Sequence, residues 1–528
     1  MKKLTAFALS CFMFLALTAC GGNNGGNSGG NKTAKDGGTY IIAQQGEPAS
    51  MNPDTVSDDY LYPIAQNMFN RLVKLNNNYE VLPDLATSWE SSDDALTHTF
   101  HLNEKAKWWD GEAVTSEDVK YTFDTIVEKN YANKSVFANV KEIEAKDDLT
   151  LIFHMSAPDA SFLSNVAWYG TFIMPQHVLD GQDWQKSDFN QNPVGSGPFK
   201  LSKWNKGTDL RLVKNAEYWG DVAHLDEIVY TVIPDANTAY QAWLNNEVDE
   251  IPSALIPTSE IASMQENGDY NWVNQEWPSP YYMTFNLNEG PFKDVKVRKA
   301  IAMGVNRNEV SEKAFSGYKP ANDYFITKIF TSSLNDNAKQ PSYDPEGAMK
   351  LLEEAGYKKN KDGYYFETKL TIFEGFEDAA NVLVADLEKI GVKCTLSVVD
   401  YNVWQENAWK NQEFELTMVA GFQGPDVLGA GRRWTTDGVI NVNFYSNEKV
   451  DTLYKEALAA ATQEEVDAKM KDIQAILAED LPLILLVNYT DVCAYKSNVQ
   501  GHPMYTDEQG GSRAKAGFNE MTYVWLDN

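Results

Sequence analysis

Cysteine is almost missing from this chain: four in 528 residues, at positions 11, 20, 394 and 493. Thiols so few and so scattered make neither a disulfide framework nor the clustered pattern of a zinc or redox motif. Two of them sit in the N-terminal segment, so only Cys394 and Cys493 are left to pair. Histidine is scarce as well, with six residues. His98 and His101 lie three apart in an alternating stretch, where they face opposite sides of a strand, and no metal site is expected. Positive charge is in deficit: 45 Lys and Arg against 75 Asp and Glu give a net charge of −30. That balance argues against nucleic acid and anionic lipid as partners. Catalytic signatures are absent too. Gly195-Ser196-Gly197-Pro198 lacks the Gly-Lys-Ser/Thr ending of a phosphate loop and leads into a strand, so it reads as a turn. There is no Gly-x-Ser-x-Gly elbow, and no spacing marks a carboxylate pair for glycoside hydrolysis. An enzyme is not expected, nor a cofactor. Past Leu17 no apolar run is long enough to cross a membrane.

What is present begins at the N-terminus. Lys2 and Lys3 precede the apolar stretch Leu4 to Leu17, which is too short to span a bilayer and ends in small residues. This is the pattern of a secretory signal peptide over 1–20. Leu17-Thr18-Ala19-Cys20 resembles a bacterial lipobox, whose cysteine is acylated and becomes the mature N-terminus. Stable anchoring needs more than one acyl chain, because a single chain holds only marginally. Residues 21–37 are Gly- and Asn-rich and cannot build a core; they read as a flexible tether with a reach of roughly 21–25 Å.

The remaining body, about 490 residues, is too long for one core and implies several domains. Strands and amphipathic helices alternate throughout, an α/β pattern. Leu96, His98, Phe100 and Leu102 share one strand face; Leu149, Leu151, Phe153 and Met155 share another. Thr115 with Asp118 forms a capping pair before a helix whose Val119, Phe123, Ile126 and Val127 are assigned to one side. Asp344-Pro345 opens a helix with a stripe of Ala348, Leu351, Leu352 and Ala355, closed by Gly356. A strand near 370–373, a helix near 376–390 and a strand near 392–399 make a βαβ unit, with Gly391 where the helix stops.

Several separated blocks then carry a resemblance. In order they are Val81-Leu82-Pro83-Asp84-Leu85-Ala86, Thr99-Phe100-His101-Leu102, Trp108-Trp109-Asp110-Gly111, Val114 to Val119, Pro193 to Phe199, Asn215-Ala216-Glu217-Tyr218-Trp219, Phe285-Asn286-Leu287, Pro291 to Ile301 and Asp344 to Tyr357. Together they resemble the extracellular solute-binding proteins of the peptide/nickel family, family 5. The resemblance implies an α/β, two-lobed periplasmic-binding-protein-like clamshell (type II, cluster C) with an extra domain inserted in lobe I. Lobe I would comprise 38–58, 195–282 and 500–528, the inserted domain 59–194, and lobe II 283–499, with crossings near Met283 and Lys496. It also implies capture of an oligopeptide by hinge closure and delivery to ABC-transporter permease subunits, by a monomer held on the outer face of the cell membrane through lipid on Cys20. Oligosaccharides or metal chelates are alternative ligands in the same fold, and a secreted hydrolase is the alternative of another class.

The site residues follow from the same resemblance. In peptide binders of this family a strand ends in an aromatic followed by an aspartate that pairs with the ligand's α-ammonium. Phe422 and Asp426 match, in Gly421-Phe422-Gln423-Gly424-Pro425-Asp426. Trp404 falls where the family places a cleft tryptophan, and Glu47 where it lines the cleft from lobe I. Arg432 and Arg433 beside Trp434 could each bind a ligand carboxylate, through bidentate bonding or stacking, and Arg433 with Trp434 is carried as the candidate. Asp426 also begins a Pro-Asp turn, and Trp404 also suits a core; both readings stand at this level.

Overall fold

In a computed structural model of the chain, residues 33–168, 171–504 and 516–527 are described. The signal segment, most of the tether and the lipid-attachment residue Cys20 lie outside them. No helix among the described residues is long and apolar enough to cross a membrane.

One mixed sheet of ten strands runs through the molecule. Its order is Val392–Val399, Phe366–Phe373, Leu416–Ala420, Tyr270–Phe285, Leu483–Lys496, Glu250–Pro252, Thr39–Gln44, Glu227–Val232, Asp209–Lys214, Phe199–Asn205. The two strands at its centre are the long ones, and they pair antiparallel along most of their length. One end of this pair packs in a first hydrophobic core, through Val273, Cys493 and Tyr495. The other end packs in a second, through Met283, Ile484, Leu486 and Val487. The chain passes between cores several residues inside the expected crossings: Met283 is already in the second, and Lys496 still lies over the Trp243 ring of a neighbouring cluster. The ladder slips register between Glu276 and Pro280, at the passage.

A separate four-stranded antiparallel sheet is ordered Ala86–Ser91, Thr97–Leu102, Thr150–Met155, Val140–Asp147. Its inward residues Phe100, Leu151 and Phe153 belong to the first core, so this segment shares that core and does not form its own. Alternation carries the arrangement: His98, Phe100 and Leu102 are buried while the residues between them are less so. The helix Ser116–Lys129 starts with the Thr115/Asp118 capping box and buries Val119, Phe123 and Ile126. Val127 is solvent-exposed and drops out of the expected stripe. Asp344 caps Pro345–Glu354 by accepting from the Gly347 amide at 2.9 Å. Phe366–Phe373 and Val392–Val399 pair in parallel around the helix Glu377–Lys389, the expected βαβ unit. Gly391, at φ 78°, makes the left-handed turn between helix and strand that a side chain would oppose. Cys394 and Cys493 lie in different cores and do not pair with each other.

At the passage between cores the Asn488 amide donates to Glu276 Oε1 at 2.7 Å, and Asn322 donates to Asn488 Oδ1 at 2.7 Å. Burial pushes the Glu276 carboxyl up to about 7, with Lys328 pulling it back. A folded pKa above the unfolded value means that this contribution is fully present below about 4.5 and lost as pH rises through about 7. Glu276→Gln keeps the acceptor and removes the charge. Urea unfolding should find the variant more stable than the parent by about 1–2 kcal/mol above neutral pH, with the difference vanishing in acid.

Candidate functional site

The two cores face each other across a cleft beside the long strands. One cavity of about 490 Å³ lies between Tyr62, Asn165 and Trp168 on one side and Phe422, Pro425 and Arg432 on the other, with Trp277 from the long strand between them. A second cavity of about 500 Å³ shares Asn165, Gly424, Pro425 and Arg432 with the first and adds Asp426 and Tyr454, so the two are continuous. Each is of the size that encloses a small organic ligand.

The loop that carries Phe422 and Asp426 is held tightly. It leaves the strand Leu416–Ala420 through Gly421 at φ 155°, and Gly424 at φ 131° turns it again. Gly429 packs so close that a Cβ there would meet the Gln423 carbonyl oxygen at 1.9 Å. The Gln423 amide donates to the Pro278 carbonyl at 2.9 Å, which binds the loop to the bulged part of the long strand.

Asp426 caps the short turn Val427–Ala430: its Oδ1 accepts the Leu428 amide at 2.9 Å and the Gly429 amide at 3.2 Å. Its Oδ2 is shielded from solvent and has no hydrogen-bond partner among the described residues. The residue as a whole is only half-buried, since it lines the cavity; the unmatched oxygen is the part removed from water. Burial pushes its carboxyl up to about 7, and the charge of Asp159 adds to that. Phe422 stacks on Trp168 with centroids 4.7 Å apart, and Trp277 meets the Trp168 ring edge-on at 5.8 Å. These rings join the two sides of the cleft, and the Ala160 amide, donating to the Leu458 carbonyl at 2.9 Å, joins them again nearby.

Of the six ligand residues expected from the sequence, the structure brings Asp426 and Phe422 to the cleft and turns the other four away. Trp404 is 2 % exposed, packs against Phe373 and donates from Nε1 to Thr417 Oγ1 at 2.8 Å. It is a core residue because its helical turn presents that face to the sheet. The Glu47 carboxylate accepts from Trp204 Nε1 at 3.1 Å and the Gly207 amide at 2.9 Å, so it fastens a hairpin of the first core. Arg433 is buried over the Tyr282 ring and donates to Gln423 Oε1 at 2.7 Å and the Gly421 carbonyl at 2.9 Å. It supports the loop from behind. Trp434 is 1 % exposed in the second core. The cationic side chain that does line the cleft is the neighbouring Arg432, one helical step of about 100° away. Arg432 was weighed beside Arg433 and passed over; Trp168, Trp277 and Asp159 were missed by sequence reasoning, which has no local signal for contacts between segments this far apart.

An α/β molecule with two cores, one strand pair passing between them and a cleft at the passage has the architecture of a solute-binding protein. The comparisons agree. The profile of the bacterial extracellular solute-binding proteins, family 5, matches residues 80–438, and the chain belongs to that family. Members are transport binding proteins, not enzymes, and act outside the cytoplasm. The oligopeptide-binding protein AppA of Bacillus subtilis (strain 168) is 27% identical, covering 95% of this chain and 96% of that one. The dipeptide-binding protein of Escherichia coli (strain K12) is 25% identical over 88% of this chain and 92% of its own. Among solved structures, the ABC transporter substrate binding protein CtaP (Lmo0135) from Listeria monocytogenes superposes with TM-score 0.81 at 25% identity, covering 94% of this chain and 100% of that one. The Bacillus subtilis AppA complex with a nonapeptide superposes at 0.71 with 24% identity, covering 94% and 100%, which speaks for the fold.

The reassignments have a direct consequence for stability. Trp404→Ala should cost about 3–5 kcal/mol as a core truncation, while Arg432→Ala should stay within about 0.5 kcal/mol. Urea denaturation of the two variants reads this contrast.

Proposed function

We propose that the chain is the capture component of an ABC importer for oligopeptides, held outside the membrane by lipid on Cys20 and handing its ligand to permease subunits. The observation that carries the peptide reading is Asp426 Oδ2: a shielded carboxylate oxygen with no described partner, on the wall of a cavity. A ligand α-ammonium supplies both the charge and the hydrogen bond that this oxygen lacks, and a charge-assisted bond in a dry site discriminates against ligands without an amine. The relatives named for oligopeptides and dipeptides support the same class of ligand. Phe422, Trp168 and Trp277 form an apolar wall for side chains, and Arg432 is available to a carboxylate.

In this reading lobe I takes 38–58, 195–282 and the chain beyond Thr490, with 59–194 inserted in it. Lobe II takes 283 to about 490, short of the expected 499 because Cys493, Tyr495 and Val499 pack in the first core. The hinge is the strand pair near Glu276–Tyr281 and Val487–Thr490, where the ladder is irregular. Opening separates Phe422 from Trp168, and closing on a ligand rejoins the walls around it.

Tryptophan fluorescence titration with short peptides of mixed sequence tests the reading, each pool used with a free and with an acetylated N-terminus. The free pool should bind, and acetylation of the peptide or Asp426→Asn in the protein should each weaken binding by about 2–4 kcal/mol, some 30- to 1,000-fold. Equal affinity for both pools contradicts the ammonium assignment. No binding of either pool, with an oligosaccharide or a metal chelate bound instead, contradicts the peptide reading and leaves the family unaffected.

A further inference from the structure

Behind the cleft, in the first core, three residues far apart in sequence meet: Glu250, Cys493 and His502. All three are buried, and their donor atoms lie within 4.8 Å of one another. We propose that they form a binding site for a thiophilic divalent metal ion, with Zn²⁺ as the type, completed by the thioether of Met504. No spacing in the sequence announces this set, because its members come from the strand Glu250–Pro252, the long strand Leu483–Lys496 and the segment that follows it.

Two of the donor–donor distances are those of a tetrahedral site, and the rest among Glu250, Cys493 and His502 lie within 4.8 Å. Zinc bonds of about 2.3 Å to sulfur and 2.0–2.2 Å to nitrogen and oxygen imply edges of about 3.8 Å between sulfurs and about 3.3 Å between nitrogen and oxygen. Cys493 Sγ and Met504 Sδ stand 3.8 Å apart, and His502 Nε2 and Glu250 Oε2 stand 3.1 Å apart. Charge fits as well. A divalent cation with one thiolate and one carboxylate is neutral overall, which suits a site closed to water. An outer layer already orients the donors: Tyr40 Oη donates to Glu250 Oε2 at 2.6 Å, and the Tyr495 ring stacks on His502 at 4.3 Å. A cavity of about 200 Å³ reaches Glu250, Cys493 and Met504 and shares Asp59 with the main cleft, which provides an entry path.

Three hydrogen bonds must yield on loading. The Met504 amide donates to His502 Nδ1 at 3.2 Å, which assigns the imidazole proton to Nε2, facing Glu250. When the ion binds, Cys493 loses its proton to solvent, the imidazole proton moves from Nε2 to Nδ1, and the Met504 amide turns away. The Met504 amide to Nδ1, Nε2 to Glu250 and Sγ to Sδ hydrogen bonds are given up for bonds from the ion to thiolate, imidazole, carboxylate and thioether. The ion then ties the long strand to its neighbour and to residues 502–504, on the first-core side of the passage between cores.

Cobalt(II) titration of the full chain tests this, with Cys11→Ser and Cys20→Ser making Cys394 and Cys493 its only thiols. The protein is first stripped with chelator under a thiol-free reductant. One equivalent of Co²⁺ should bind with a thiolate-to-cobalt charge-transfer band and tetrahedral d–d bands, and Zn²⁺ should displace it. Cys394→Ser should leave the spectrum unchanged. Cys493→Ser should abolish the charge-transfer band, and His502→Gln should weaken binding at least about a hundredfold. A parent protein that develops no such band overturns the proposal without reference to any variant. A band that survives Cys493→Ser overturns it as well.

Discussion

The antiparallel pair of Tyr270–Phe285 and Leu483–Lys496 is the constraint on which the remaining architecture depends. Two hydrophobic cores too large to merge are threaded on it, and every strand of the main sheet lies to one side of it or the other. A continuous ladder would make the cores one rigid block. This ladder is interrupted between Glu276 and Pro280, and the buried carboxyl of Glu276, with Asn488 and Asn322, fills the interruption with polar contacts in place of packed side chains. A cleft forms at that point because neither core covers the passage.

The cleft holds one carboxylate that is incomplete without a partner. Asp426 has one oxygen saturated by backbone amides and the other shielded from water with no described partner, a costly arrangement for a charged carboxylate. The loop that holds it is built for placement: glycines where the backbone turns or packs too tightly for a side chain, and Arg433 buried behind it. Stability is given up at the position where a ligand's positive group would restore it, which is the usual relation between a strained site and its function.

Much of the fold was legible in the sequence because it is written locally. Capping pairs, Gly391 at a helix end and period-two alternation each report on residues within a few positions, and each matched the structure. The site was legible in part. Phe422 and Asp426, expected at the cleft from the family resemblance, do line its cavities. Trp404, left open between cleft and core, lies in the core, and Arg433 lies behind the loop, for a physical reason: a short helical segment shows which residues share a face but not which face meets the sheet. One residue's rotation separates buried Arg433 from exposed Arg432. The Trp168–Phe422 stack and the Glu250–Cys493–His502 cluster depend on segments hundreds of residues apart, and no local periodicity encodes such meetings.

The central claim is that Asp426 carries a perturbed carboxyl which a ligand's ammonium forces into its charged form. Proton release on binding measures this directly, by calorimetry of a bound peptide in buffers of different ionisation enthalpy across neutral pH. With the free-site carboxyl near 7, binding should release a substantial fraction of a proton around neutrality and progressively less in alkali, and Asp426→Asn should release none. Binding with no proton release near neutral pH, or with the same release in Asp426→Asn, would contradict the account.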